Sequence, residues 1–186
     1  KDDIQNNIPD NEVFKIFRSD KQALLILHRQ KIISFDKNII AQLPKCFIEY
    51  LYPEEEKIDQ IKDEQFESKR NLGENDNIIC EMIRNDSIEE FITFINKNNY
   101  PINSIIEKSF YETNSFLNDK NPTLIEYAAF FGSTQIFQYL YKNGSTISSK
   151  IWLYGIHSDS AEIINFLEEN KIKPPNDSFN ICFVES

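Results

Sequence analysis

Residues 123–144 read TLIEYAAFFGSTQIFQYLYKNG, and this stretch decides the fold. Thr123 stands three residues before Glu126. At that spacing the hydroxyl accepts a backbone amide of the first turn while the carboxylate reaches back to the start of the helix. Apolar and small residues then recur at helical intervals, Leu124, Ile125, Ala128 and Ala129 in one run, Ile136, Phe137 and Leu140 in the next. Gly132 lies between the runs, where a tight reversal often needs a left-handed backbone. Asn143-Gly144 closes the stretch with a turn signal. The pattern predicts two short antiparallel helices. A unit of that size cannot bury its apolar face alone and needs neighbours of its own kind.

Such neighbours can be found by sliding the stretch along the chain. A shift of 27 residues places Ile136 on Ile163, Leu140 on Leu167, Asn143 on Asn170 and Ala128 on Gly155, so a small slot stays small. A shift back by 45 places Ile136 on Phe91, Leu140 on Ile95 and Gly132 on Ser87. A looser match puts Leu140 on Leu27 and Gly132 on Ser19. Helix pairs are therefore expected near 12–31, 79–98, 124–143 and 151–170, with helices of 8–14 residues. Ser87 with Glu90, and Asp159 with Glu162, repeat the capping spacing. The expected fold class is all-α: stacked helix pairs in a solenoid.

The best copy, Thr123, Leu124, Glu126, Ala128-Ala129, Gly132, Ile136-Phe137, Leu140 and Gly144, resembles the ankyrin repeat. It departs from that signature where Leu124 and Glu126 replace its Pro and His. The strings RNDSIEEFI, YETNSFL, TLIEYAAFFGS, WLYGIHS and EIINFLEEN are similar to degenerate ankyrin proteins, an ankyrin-like domain of unknown function expanded in parasitic protists. The resemblance covers roughly residues 10–186 and implies an ankyrin-like array with an atypical helical N-terminal part. It brings no catalytic residue.

Three zones follow: a helical N-terminal region over 1–52, a charged connector over 53–76 and degenerate ankyrin-like repeats over 77–186. The connector holds nine acidic and four basic residues, and Ile58, Ile61 and Phe66 give it at most a thin apolar stripe. It reads equally as a short exposed helix and as a plain flexible linker.

Composition narrows the function. The chain has 186 residues, 15 Phe and only 4 Gly, too rich in aromatic residues for a disordered segment. Its net charge of −10 opposes a phosphate backbone, so nucleic acid is not expected as a partner. No run approaches the ~20 apolar residues of a membrane-spanning helix. Cys46, Cys80 and Cys182 are isolated and form no disulfide framework; with no secretory signal at Lys1-Asp2-Asp3-Ile4, a cytoplasmic location is expected. His28 and His157 have no metal-ligand spacing beside them, and the glycines at 73, 132, 144 and 155 are too scattered for a phosphate loop. No cofactor, no metal and no catalytic residue are expected, and the chain is read as non-enzymatic.

What is left is binding. The resemblance implies a concave face on the inner helices and their turns. Its positions are Tyr127, Phe130 and Phe131 in the best copy, Tyr154, His157 and Ser158 one repeat on, and Met82, Asn85 and Asp86 one repeat back. Phe130 is expected to pack against the neighbouring pair, and Trp152, on the core slot of Ile125, to be buried. The expected function is a protein-protein interaction scaffold whose partner carries a basic patch. The alternative is a regulatory or targeting segment of a longer protein, an expectation prompted by the absence of an initial Met and by the apolar Ile181-Cys182-Phe183-Val184.

Overall fold

A computed structural model of the chain describes residues 8–43, 45–51 and 64–180. Among them the regular elements are helical, and one isolated antiparallel bridge joins Ile105 to Thr123. The helices are α1 (Asp10–Phe17), α2 (Lys21–Arg29), α3 (Lys37–Ile40), α4 (Lys45–Leu51), α5 (Glu64–Leu72), α6 (Ile78–Arg84), α7 (Ile88–Asn98), α8 (Ser115–Lys120), α9 (Leu124–Phe130), α10 (Thr134–Lys142), α11 (Ile151–His157) and α12 (Ala161–Glu169). The expected pairs are present as α1/α2, α6/α7, α9/α10 and α11/α12. Ile58, Ile61 and Cys182 lie outside the described residues, as does the Cys46 side chain.

The first helices of the last three pairs have seven residues each, fewer than the 8–14 expected. The reason is how they stop. Asp86, Gly132 and Asp159 adopt positive φ two residues past the helix end. There the amide of Asp86 bonds the Ile83 carbonyl and that of Ser87 the Met82 carbonyl, with the same pattern from Gly132 to Ala129 and from Ser133 to Ala128. This is the Schellman termination, which satisfies the last carbonyls and turns the chain. Lys31, Asn99, Gly144 and Lys171 end α2, α7, α10 and α12 in the same left-handed way. Only two of these seven positions are Gly, so Asp, Asn and Lys adopt a backbone that costs an L-residue roughly 1 kcal/mol.

Capping follows expectation at one site and departs at two. Thr123 and Glu126 form the complete reciprocal box. Ser87 starts α7 without a side-chain bond. At α12 the cap is Ser160, whose hydroxyl accepts from the Ile163 amide, because Asp159 is used one residue earlier in the left-handed turn.

The chain divides into two compact units, Lys1–Asp76 with Lys108–Asp119, and Asn77–Glu107 with Lys120–Ser186. The first is centred on Val13, Phe14, Leu24, Leu25, Ile33, Phe35, Ile39, Leu43, Tyr50 and Leu51. Here α2 packs on α1 and α4. His28 stacks on Phe35 with ring centroids 4.8 Å apart. Around Tyr50 the packing is polar. Its hydroxyl donates to the Arg70 carbonyl at 2.7 Å, the Arg70 guanidinium donates to the Tyr50 carbonyl at 3.2 Å, and burial pushes the phenol up to about 12. Helix α5 is therefore exposed on one face only, since Arg70 is buried. The segment 108–119 is held in this unit through backbone and side chain alike. Lys21 Nζ donates to the Glu112 carbonyl at 3.0 Å, and the Thr113 amide to the Gly73 carbonyl at 2.9 Å. Ser109 donates to Asp76 at 2.8 Å. Partial burial would raise the Asp76 carboxyl, but the bonds from Ser109 and Lys69 hold it below its usual value.

In the second unit the first helices form a row, α6 on α9 and α9 on α11, while α7 meets α10 behind them. Phe166 of α12 joins this second row, with its ring 5.2 Å from Phe137 and 4.8 Å from Tyr141. The core is Ile79, Ile83, Phe91, Leu124, Ile125, Ala128, Ala129, Ile136, Phe137, Leu140, Ile163 and Leu167. Trp152 is buried, as its alignment with Ile125 requires, and its indole N–H donates to the Ile172 carbonyl at 2.8 Å. The connections also pair: the Ile106 amide donates to the Pro122 carbonyl at 2.7 Å, and Thr146 N–H to Asn103 Oδ1 at 2.8 Å.

Candidate interaction face

The face begins at the turns between the paired helices. Gly132 has φ +67°, and a Cβ added to it would stand 3.3 Å from Ser160 Cβ and 3.4 Å from Ser158 Cβ. One turn thus lies directly against the next, and glycine meets both the backbone and the steric demand. On the other side the turn of α6/α7 reaches the same helix pair through Asp86. Its two carboxylate oxygens accept from the Gln135 amide at 3.0 Å and the Ile136 amide at 2.9 Å, at the start of α10. Ser133, the local cap position of α10, makes no cap bond of its own and instead donates to the Ile83 carbonyl.

Asp86 was expected on a partner-binding face. The structure uses it as a helix cap supplied by the neighbouring pair, the position at which a carboxylate also meets the positive end of the helix dipole. The left-handed residue aligned with Gly132 is Asp86, not Ser87, one position earlier than the 45-residue shift places it. Asp86→Ala is expected to cost about 1–2 kcal/mol by urea unfolding, and Asp86→Asn, which keeps an acceptor oxygen and tolerates the left-handed backbone, less. Equal losses for both would mean that the bonds across the pairs contribute nothing.

Two more expected face residues are inside. Tyr127 is 1% exposed and Tyr154 is 3% exposed. The Tyr127 hydroxyl accepts from Arg84 at 3.0 Å. Burial, with the nearby Glu126 charge, pushes the Tyr154 phenol well above its ordinary value. Helices α9 and α11 have only seven residues each. Helix α9 is covered by α6 on one side and α11 on the other, and α11 packs on α9 and α12, so the middle of each short helix is buried and the C-terminal ends emerge.

At those ends the expected residues do assemble. Tyr127 supports Phe131 with centroids 4.8 Å apart, Phe131 meets Phe130 edge-on at 5.0 Å, and Phe130 reaches His157 at 5.1 Å. Phe130, Phe131, His157 and Ser158 are half-buried, and Asn85 is exposed. Phe130 does pack against the neighbouring pair, as expected, and also keeps part of its ring at the surface. The outcome is a row of partly exposed rings running across α9 and α11, rigid because its lowest ring is buried and hydrogen-bonded. Ser158 is turned back, donating to the Gly155 carbonyl at 2.8 Å. Met82, at the α6 end, is half-buried.

The role of Arg84 was not visible in the sequence. It lies on α6 and its partner 43 positions away on α9, with no local spacing to connect them. Among the described residues no three His, Cys, Asp or Glu side chains converge as metal ligands, and no helix is long and apolar enough to cross a membrane. No family model, curated protein or solved structure matches the chain.

Proposed function

We propose that the chain is a non-enzymatic protein-interaction module, and that its second unit is a degenerate ankyrin-like array presenting the aromatic row as its contact surface. The observation that carries the reading is the continuous row Phe131–Phe130–His157, partly exposed and held by the buried Tyr127. Aromatic rings, Phe among them, are enriched at the cores of protein interfaces. The inner and outer rows of helices, the left-handed turns at Asp86, Gly132 and Asp159 and the paired connections support the ankyrin-like assignment. The hydroxyls beside the row are engaged in structural bonds, Tyr127 with Arg84 and Ser158 with Gly155, and the rings supply the contact surface.

Capture from a lysate of the source cells, with mass spectrometry, tests this. The chain is compared with its Phe131→Ala/His157→Ala variant after both give the same helical circular dichroism. A partner bound by the native chain should lose roughly 30-fold or more in affinity for the variant, the effect of removing an aromatic hot spot. Equal affinity would remove the row from the site, and failure to capture any partner would count against the interaction reading itself.

A further inference from the structure

A second surface of the same unit lies outside the aromatic row. Between α6 and α7 there is an open groove of about 660 Å³, lined by Met82, Glu89, Glu90, Thr93, Phe94 and Lys97 among others. Met82 and Phe94, both half-buried, supply its apolar part. Glu89 and Glu90 stand exposed on its rim in the first turn of α7. Neither carboxylate is in an ion pair among the described residues, whereas Arg29 and Arg70 pair with Glu67 and Lys69 with Asp76. Lys97 lies seven residues along the helix from Glu90, about 10 Å by helical rise, so it does not neutralise the acidic end. The groove thus combines an apolar floor with two uncompensated negative charges at one end. That combination fits a ligand of opposite charge and matching apolarity.

We propose that this groove binds a basic amphipathic peptide segment, which places a leucine-like side chain between Met82 and Phe94 and sets Arg or Lys against Glu89 and Glu90. Methionine suits such a floor, because its unbranched thioether adapts to different apolar side chains. The proposal adds a separate contact to the module reading and rests on that reading only in taking the ligand to be a protein segment.

Met82 is the single methionine in the sequence, so its methyl group reports on the groove alone. The probe is the peptide Arg-Arg-Leu-Leu-Arg-Arg, titrated into the full chain labelled at the methionine methyl. Arg-Arg-Gly-Gly-Arg-Arg and Glu-Glu-Leu-Leu-Glu-Glu are the controls. The Leu-containing basic peptide should shift the Met82 methyl resonance in a saturable way, and both controls should bind at least several-fold more weakly. Glu89→Gln/Glu90→Gln should weaken binding roughly two- to tenfold and flatten its salt dependence, as expected for two exposed ion pairs. Phe94→Ala should weaken the Leu peptide and leave the Gly peptide unchanged. Binding with no change at Met82, equal affinity for the acidic peptide, or indifference to the Glu89/Glu90 substitutions would each overturn the proposal. The Phe131→Ala/His157→Ala variant should titrate like the native chain. A variant that loses its cellular partner but keeps the Met82 response supports the aromatic row and the groove separately, and loss of only the Met82 response in the Gln variant separates the two in the other direction.

Discussion

Tyr127→Ala is expected to remove about 3–5 kcal/mol of stability, enough to unfold much of a marginally stable domain at physiological temperature. The ring is 1% exposed and is among the largest fully buried side chains of the molecule. Deleting it leaves a cavity where the ring is buried, removes the support under Phe131 and takes one acceptor from Arg84 of the neighbouring helix α6. Tyr127→Phe separates these effects. It keeps the volume and loses only the hydroxyl, so the expected cost is about 1 kcal/mol, because the half-buried Arg84 can turn to water. Urea unfolding followed by circular dichroism gives both numbers. A loss below about 0.5 kcal/mol for Tyr127→Ala would fit a surface residue and return Tyr127 to the proposed contact face.

Gly155→Leu is expected to cost about 1–3 kcal/mol through overpacking, and the structure identifies what would be struck. A Cβ built on Gly155 comes within 3.2 Å of Ile163 Cγ2 and 3.5 Å of Leu167 Cδ1. The small slot therefore serves the contact of α11 with α12 in its own pair. The alignment of Gly155 with Ala128 made the slot small; the structure shows that it is small for the α12 side chains and not for a neighbouring inner helix. Gly155→Ala should be nearly neutral, since the gain of about 1 kcal/mol in helix propensity offsets a few tenths of an ångström of movement at Ile163. The double variant Gly155→Leu/Ile163→Ala should recover part of the loss of Gly155→Leu, giving a favourable coupling in a thermal-melt cycle. Strict additivity would mean that Ile163 is not the residue obstructed.

Helix positions were legible because they follow from local chemistry. The 3.6-residue spacing of Ile136, Phe137 and Leu140, the Thr123–Glu126 box and the glycine at 132 all act within a few residues. Trp152 was legible as core for the same reason, by its alignment with Ile125. The expected binding face was legible only at its edge. Periodicity gives the direction in which Tyr127, Tyr154 and Phe131 point around the helix axis, but not how far along the axis a neighbour covers them. Tyr127 and Tyr154 sit one turn too deep, while Phe131 and His157 sit at the open end. The groove beside Met82 was missed because its other walls come from the outer helix, where Glu90, Phe94 and Lys97 read as an ordinary amphipathic stripe.

By itself the sequence determined an all-helical chain, the places of its helix pairs and the glycine turn at 132, because these are set by backbone propensity and by apolar spacing within one or two turns. Tertiary structure alone decided which of those residues stay at the surface. The bonds from Asp86 to the start of α10 and from Arg84 to Tyr127 join residues more than 40 positions apart, and the segment 108–119 returns to the first unit through Lys21, Gly73 and Asp76. Hydrogen bonds and burial of that range depend on which surfaces the packed helices leave uncovered. No local pattern of residues encodes that.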